Sequence, residues 1–565
     1  MPSVTASSPK RRRLNTSLEI REAFDLVSDI EASSSDSDES DSDRGDEELP
    51  SSDEDAASDR EQPATSAAAN TIQWKNVRTH EPAKFTFQPT AQASSIHQPE
   101  GNNESTFFDH FLEEELLRTI TVETNKYAAR KEPSWKEMTV NELKKFIALL
   151  ITFSLVVKKN LKSYWERDGK LTATPSIGKF MSRNRFARIN ANLHFADLDE
   201  TDPNDRLYKV REIIEPLKKK FKDSHSPAQK LCIDESLVLF RGRAIFRQYI
   251  PSKRHRFGLK FFVLCDCATG YVLDFVLYSG TDIDIPAVSK NDALGFSGSV
   301  VKTLLGQTYL GKGHLLYTDN YYTSPALAQF LLDNNTGLCG TVKANRKYMP
   351  KFPNKGAPGT LQTQEAGKML ALSFTDKRQV LLLSTLHKGD LQDTGKIDRE
   401  TGGTKHKPDA IIDYNKNMRL VDKADMMTSY IDCTRKTKKW PTRVFHQMIR
   451  LCLLNAFVKL QEENPKYKKH LREYSYSVAE QWLQESTDQF ANRLTACSRE
   501  IRFTCRAFLE PIIENGSKKY RRCHVCWTTS LRPIKRKEVN TRCKNCKVAL
   551  CATPCNELYH TSMRY

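Results

Sequence analysis

Apolar residues follow two different rhythms along this chain. Between about Thr106 and residue 225 they recur three and four positions apart, which predicts an all-helical block. Thr139-Val140-Asn141-Glu142 is a capping-box pattern just before Leu143, Phe146, Ile147 and Leu150; Thr139 can accept from an early amide and Glu142 can reach back. Ser182 heads a second such start. From Lys230 the period becomes that of strands. Lys230–Asp234 predicts a short strand ending at a carboxylate, and Gly258–Leu264 and Tyr271–Tyr278 predict two strands joined by a tight turn over Asp266–Gly270. His314–Asp319 is another strand ending at a carboxylate; Ser324 and Pro325 then suit the cap and first position of a helix to Asp333. Gly337–Lys343 reads as a buried strand. Residues 346–410, rich in Gly, Lys and Thr, hold one clear strand at Gln379–Leu386 and read as an insertion outside the sheet. Met418–Tyr430 predicts a helix. The next helix, from Pro441, is strongly amphipathic through Phe445, Met448, Ile449, Cys452, Leu453, Ala456, Phe457 and Leu460.

Charge divides the chain in a way that the periodicity does not. The 565 residues carry a net +17, but the first seventy hold 7 Lys or Arg against 18 Asp or Glu, a net −11, so the remainder carries 17 + 11 = +28. A body that basic points to a polyanion, most simply nucleic acid. The tail around Ser33–Asp43 is almost wholly serine and acid; it cannot bury enough apolar area to offset ordering and should be disordered. Its serines suit an acid-directed kinase, and a purely solubilising tail is the equal alternative. Pro9-Lys10-Arg11-Arg12-Arg13 looks like a nuclear-import signal, with no apolar segment after it that would mark secretion. The longest apolar stretch, Phe146–Val157, is too short to cross a bilayer, so no membrane span is expected.

Asp234 and Asp319 each sit at a predicted strand end, and Asp422 and Asp425 lie three apart, on one helix face. Carboxylates brought by two strands and a helix are what a two-metal phosphoryl-transfer site needs, because hard Mg²⁺ ions take oxygen ligands. Among 70 acidic residues, surface caps and salt bridges are the plainer explanation of the same pattern.

Longer motifs narrow the choice. Ile233-Asp234-Glu235-Ser236 with Phe240-Arg241-Gly242-Arg243 and Phe246–Lys253, Tyr317–Ser324, Cys339-Gly340-Thr341, and Asp413–Met418 leading to Asp422 and Asp425 closely resemble the piggyBac family of DNA transposases. Met181–Phe186, Leu193-His194-Phe195 and Arg435–Trp440 match as well, so the likeness spans roughly residues 106–565 in order. The resemblance implies an α/β fold with an RNase H-like catalytic core inserted in an all-helical domain. Asp234, Asp319 and Asp422 would be its Mg²⁺ (or Mn²⁺) ligands and Asp425 a nearby fourth carboxylate. It further implies a homodimer on double-stranded DNA that cuts at terminal inverted repeats, passes through hairpin ends and integrates at TTAA. The chain departs from the pattern at Arg419-Leu420, where the family usually has glycine, and at Met426, where it usually has glutamine. These departures leave room for the alternative of a domesticated, catalytically silent DNA-binding descendant.

The C-terminus reads Cys523-x2-Cys526, Cys543-x2-Cys546, Cys551, Cys555 and His560, six of the chain's 14 cysteines plus a histidine. Paired CxxC knuckles present thiolates to tetrahedral Zn²⁺, and seven ligands fall one short of two sites, with His524 a candidate eighth. Which residues share an ion is open from the sequence. From Lys518 onward the module holds 12 Lys or Arg against Glu538 and Glu557. It also resembles the family's cysteine-rich domain, apart from Asn556 where phenylalanine is common, which implies recognition of transposon ends; a protein-binding zinc cross-brace is the alternative. Elsewhere, Lys343, Arg346 and Lys347, and the run Arg435, Lys438, Lys439 and Trp440, are candidate DNA contacts. Trp440 packing into its own helix is the competing reading.

The expected organisation is a disordered acidic tail over 1–105 and a helical dimerisation and DNA-binding domain in two parts, 106–229 and 431–517. The catalytic core would occupy 230–345 and 412–430, an insertion domain 346–411, and a cysteine-rich zinc-binding domain 518–565.

Overall fold

A computed structural model describes residues 72–89, 104–158, 160–166, 177–197, 199, 202, 205–250, 256–280, 294–352, 356–397, 402–432, 437–493, 508–514, 516–528 and 537–561. The acidic tail to residue 71, with its basic run, and Arg435 lie outside the described residues.

The first helical block comprises α1 (Glu104–Phe111), α2 (Glu114–Lys131), α3 (Val140–Leu155), α4 (Arg183–Asn192) and α5 (Tyr208–Asp223). Half of the capping box forms: Thr139 Oγ1 accepts from the Glu142 amide at 3.2 Å. Glu142 does not reach back. Its carboxylate instead takes a two-pronged bond from Arg185, with Nε and Nη2 at 2.7 and 2.6 Å, which ties α3 to α4. Residues far along the chain complete this block. After the strands of the main sheet come α8 (Asp409–Asn417), α9 (Leu420–Ser429), α10 (Trp440–Glu463) and α11 (Leu471–Arg493), with α6 (Gly295–Tyr309) and α7 (Pro325–Asp333) lying between strands. Glu104 of α1 accepts from Tyr467 Oη at 2.7 Å and Lys469 Nζ at 2.6 Å, while the rings of Phe108 and Trp482 lie 4.9 Å apart. The predicted apolar face of α10 is buried from Phe445 to Leu460.

The main sheet holds β1 (Lys75–Asn76), β2 (Lys230–Leu239), β3 (Gln248–Tyr249), β4 (Phe257–Asp266), β5 (Val272–Leu277), β6 (Leu315–Thr318), β7 (Gly337–Thr341), β8 (Leu361–Ala366), β9 (Met369–Thr375) and β10 (Gln379–Ser384). Its order is β1-β8-β9-β10-β7-β6-β2-β4-β3, with β5 also on β4. Within it, β2, β4 and β5 form an antiparallel meander, and β6 and β7 run parallel beside β2. The β4–β5 turn is as the sequence predicts: Gly270 takes a φ of +78°, and Asp266 accepts from the Ala268 amide and the Thr269 hydroxyl, each at 3.0 Å. The Ser324 cap also forms, with Oγ accepting from Leu327 N at 3.1 Å.

Three expectations are corrected. Strand β2 does not stop at Asp234; β4 pairs with it residue for residue to Leu239↔Gly258, whereas parallel pairing with β6 ends at Ile233↔Thr318. Nor do residues 346–411 stand apart from the sheet. The apolar β9 is buried over Met369–Phe374, and the β8–β10 meander extends the sheet where β10 pairs with β7, Leu382 opposite Thr341. Among the described residues of this stretch, only the ribbon β11 (Leu391–Ile397) and β12 (Thr404–Pro408) forms a separate small sheet. Residues 72–89, expected to be part of the tail, lie against the sheet: β1 pairs with β8, His80 is fully buried with Nδ1 2.9 Å from Glu365 Oε2, and Phe87 meets the His314 ring. The helix read over Met418–Tyr430 is α9, Leu420–Ser429, and a break at Met418-Arg419 separates it from α8.

Candidate active site

At the end of β6 the chain turns sharply. Asp319 Oδ1 accepts from the Tyr321 amide at 2.9 Å, and its carbonyl accepts from the Thr323 hydroxyl at 2.7 Å. The neighbouring Gly340 on β7 is obligatory here, because a Cβ would come within 2.2 Å of Thr323 Oγ1 and 2.5 Å of the Thr318 carbonyl. Asp319 is therefore held where β2 and β6 part company, beside Asp234.

Strand alternation places Asp234 and Ser236 on one face of β2. That face looks toward α9, since Ser236 Oγ donates to Asp425 Oδ1 at 2.6 Å. Asp422 lies one turn earlier on α9, near enough for its charge to act on Asp234. The carboxylate oxygens lying within 4.8 Å of one another belong, however, to Asp234, Asp319 and Glu235. No sequence signal singles out Glu235, which period-two alternation sends to the face opposite Asp234. Only the divergence of β2 from β6 lets one corner gather carboxylates from both faces.

The electrostatics of this corner are those of an anion cluster. Burial first, then the charges of Glu235 and Asp319, push the Asp234 carboxyl up to about 8; burial and Glu235 push Asp319 up to about 6. Lys260 on β4, buried over the rings of Tyr321 and Phe262 at 4.3 and 4.9 Å, works the other way on Asp319. The donor set therefore fits hard divalent cations: closely spaced oxygens whose mutual repulsion a cation would relieve.

Below the site, Asp413 of α8 takes Lys230 Nζ at 2.7 Å, Asn417 Nδ2 at 3.0 Å, His387 Nε2 at 3.3 Å and the Tyr317 hydroxyl. Burial opposes its charge, but these donors prevail and hold its carboxyl well below the usual range. The network fastens α8, and so the start of α9, to the roots of β2 and β6.

The basic candidates divide. Lys343 and Lys347 are exposed just past β7. Arg346 donates to the carbonyls of Asn320 and Tyr321, bracing the loop after Asp319. Lys438 is exposed, and Lys439 Nζ donates to the Ala191 carbonyl at the end of α4. Trp440 packs edge-on against Phe246 at 5.1 Å, which favours its packing role.

The cysteine module resolves into two groups whose ligand atoms each fall within 4.8 Å: Cys523, Cys526, Cys551 and Cys555, and Cys543, Cys546 and His560. The ligand pairs interleave along the chain, so the two groups brace one another across it. Cys526 Sγ lies 3.7 Å from Cys551 Sγ and 3.4 Å from Cys555 Sγ, near the edge of a tetrahedron with ~2.3 Å Zn–S bonds. His560 turns Nε2 to Cys546 Sγ at 3.4 Å and bonds the Asn556 carbonyl through Nδ1 at 2.7 Å; that second bond leaves Nε2 free to ligate. Both groups can hold zinc. His524 belongs to neither: it is exposed and meets the Tyr559 ring 5.5 Å away. The lone Cys265, Cys339 and Cys452 are fully buried, as small apolar residues would be.

The family model described as Transposase IS4 matches residues 103–457. The chain is a member of the piggyBac transposase family. Human piggyBac transposable element-derived protein 3 is 25% identical over 470 residues, covering 80% of this chain and 75% of that protein. The human piggyBac transposable element-derived protein 5 is 23% identical over 390 residues, covering 65% of this chain and 72% of that one. A cryo-EM structure of a piggyBac transposase synaptic complex with hairpin DNA superposes with a TM-score of 0.64 at 23% identity, covering 82% of this chain and 97% of that one, a likeness of fold. Among the described residues no helix is long and apolar enough to cross a membrane.

Proposed function

We propose that this piggyBac family member is a cut-and-paste DNA transposase. In this reading β2, β4, β5, β6 and β7 form an RNase H-like core. The observation that carries it is the gathering of Asp234 and Asp319, from adjacent parallel strands, into one carboxylate cluster facing Asp422 and Asp425 on α9. Mg²⁺ (or Mn²⁺) held there by Asp234, Asp319 and Asp422 would activate the attacking oxygen and stabilise the leaving one. The protein's own contribution is geometric: the Asp319 turn, the Ser236–Asp425 bond and the Asp413 network fix the carboxylates before DNA arrives.

Water then attacks the phosphodiester at a terminal inverted repeat and the 3′ oxygen leaves. The freed 3′ hydroxyl attacks the opposite strand in line, closing a hairpin on the transposon end and expelling a second 3′ oxygen. Water would then reopen the hairpin and release the transposon's 3′ hydroxyl, which attacks a target phosphodiester at TTAA and expels the target's own 3′ oxygen. No covalent protein intermediate is required. A homodimer would hold the two ends, the basic zinc module would read them, and the basic run Lys10–Arg13 would direct the chain to the nucleus. Plasmid excision with the cognate ends tests the reading: Asp234→Asn, Asp319→Asn and Asp422→Asn should each abolish excision and leave DNA binding intact. Excision that survives any one change removes that aspartate from the site.

A further inference from the structure

The face of β2 turned away from α9 carries a carboxylate to which the family pattern gives no role. Glu235 stands opposite Phe262 in the β2–β4 ladder, yet its carboxylate lies within 4.8 Å of those of both Asp234 and Asp319. Its Oε2 is sealed from solvent and takes no hydrogen bond. Among the described residues no lysine, arginine or histidine forms an ion pair with it; Lys260, on the same face two positions along β4, stays over the aromatic rings. An ionised oxygen buried without a donor is costly, and a cation is the partner that a neighbouring pair of carboxylates cannot supply. A role as a structural acid is hard to sustain, because a carboxylate that braces a fold does so through donors, as Asp413 does with its four.

We propose that Glu235 is a direct oxygen ligand of a divalent cation held together with Asp234 and Asp319. The proposal rests on reading this corner as the metal site of a DNA-cleaving enzyme. Three carboxylates from two strands would enclose one side of the ion, leaving the remaining positions to water and to a phosphate oxygen. Asp422, across β2, would then complete the donor set from the far side.

The test uses the full-length, zinc-loaded chain titrated with Mn²⁺ alone. Free Mn²⁺ is followed by electron paramagnetic resonance, and the waters on bound Mn²⁺ by water-proton relaxation. Glu235→Gln should weaken the tightest site by about tenfold or more and add a coordinated water to the bound ion. Weaker binding with an unchanged water count would mean that Glu235 acts through its charge alone and would overturn the proposal, as would unchanged affinity. If Glu235→Gln fails to fold, Glu235→Asp, with its shorter reach, should show the same extra water. Asp319→Asn separates the two levels. Unchanged Mn²⁺ affinity in that variant sinks the metal-site reading itself, whereas loss there with none in Glu235→Gln sinks only the role of Glu235.

Discussion

Asn455 on the amphipathic helix α10 is fully buried. Its amide closes a pair of hydrogen bonds on Val272 of β5, with Oδ1 accepting from Val272 N and Nδ2 donating to Val272 O, both at 2.9 Å. Among the described residues β5 pairs only with β4, and no other strand lies along its outer edge. The side chain of Asn455 therefore serves as one residue of a missing strand and locks the helical block to the sheet. Asn455→Ala would leave an N–H and a C=O unpaired at a residue that is itself fully buried. At roughly 1–3 kcal/mol for each of the two orphaned groups, the loss should be about 2–6 kcal/mol. Asn455→Asp keeps the acceptor but sets a carboxylate against the Val272 carbonyl, so it should cost at least as much as alanine. Urea unfolding followed by tryptophan fluorescence gives the magnitude, and hydrogen exchange at the Val272 amide gives the location. A shift under about 0.5 kcal/mol in Asn455→Ala, with the Val272 amide still protected, would refute the reasoning.

His225 lies between Asp266 Oδ2 at 3.1 Å and Glu462 Oε2 at 3.4 Å; burial lowers its pKa, but the two carboxylates outweigh burial and raise it above its ordinary 6.5. A raised folded value gives stability that is full below about 6.5 and lost as pH rises through the folded value, so the melting-temperature gap between wild type and His225→Gln should shrink from pH 6 to pH 9; a gap that widens contradicts the ion pairs. Zinc content by elemental analysis should fall by about one ion per chain in Cys526→Ser and, separately, in Cys546→Ser, while His524→Ala keeps the wild-type content; zinc loss in His524→Ala would make it a ligand after all. Deleting residues 518–565 should weaken binding to terminal-repeat DNA at fixed salt, and unchanged affinity would exclude the module from DNA recognition. Trp440→Ala should lower stability through lost packing on Phe246, by less than the roughly 3–5 kcal/mol of a fully buried aromatic because the ring is half-buried; a variant of wild-type stability with impaired hairpin cleavage would restore its reading as a base-stacking wedge.

Local signals were legible where a single element decides the outcome. The Ser324 cap, the Asp266–Gly270 turn and the apolar face of α10 all appear where residue type and spacing place them. Partner choice was not legible. Strand β2 outruns Asp234 because β4, not its own sequence, sets its length, and β8–β10 join the sheet because β7 offers an edge that Gly- and Lys-rich flanks do not advertise. Glu142 forsakes its cap for Arg185, more than 40 residues away, a choice that no local pattern records. In the site, Asp319 followed from a strand end and the family motif and Asp234 from the motif alone, since its strand runs on to Leu239, whereas Glu235 required knowing where two strands separate. The pairing of zinc ligands likewise needed three dimensions, since the chain order of the cysteines permits several.

Strand cleavage on a hairpin-ended substrate carrying the cognate terminal repeat measures the central claim most directly. In Mg²⁺, the wild type should nick and resolve the hairpin, while Asp319→Asn binds the same DNA with undiminished affinity and leaves it intact. Cleavage by Asp319→Asn at the wild-type rate would contradict a metal-dependent site built on the carboxylates at the β2–β6 divergence.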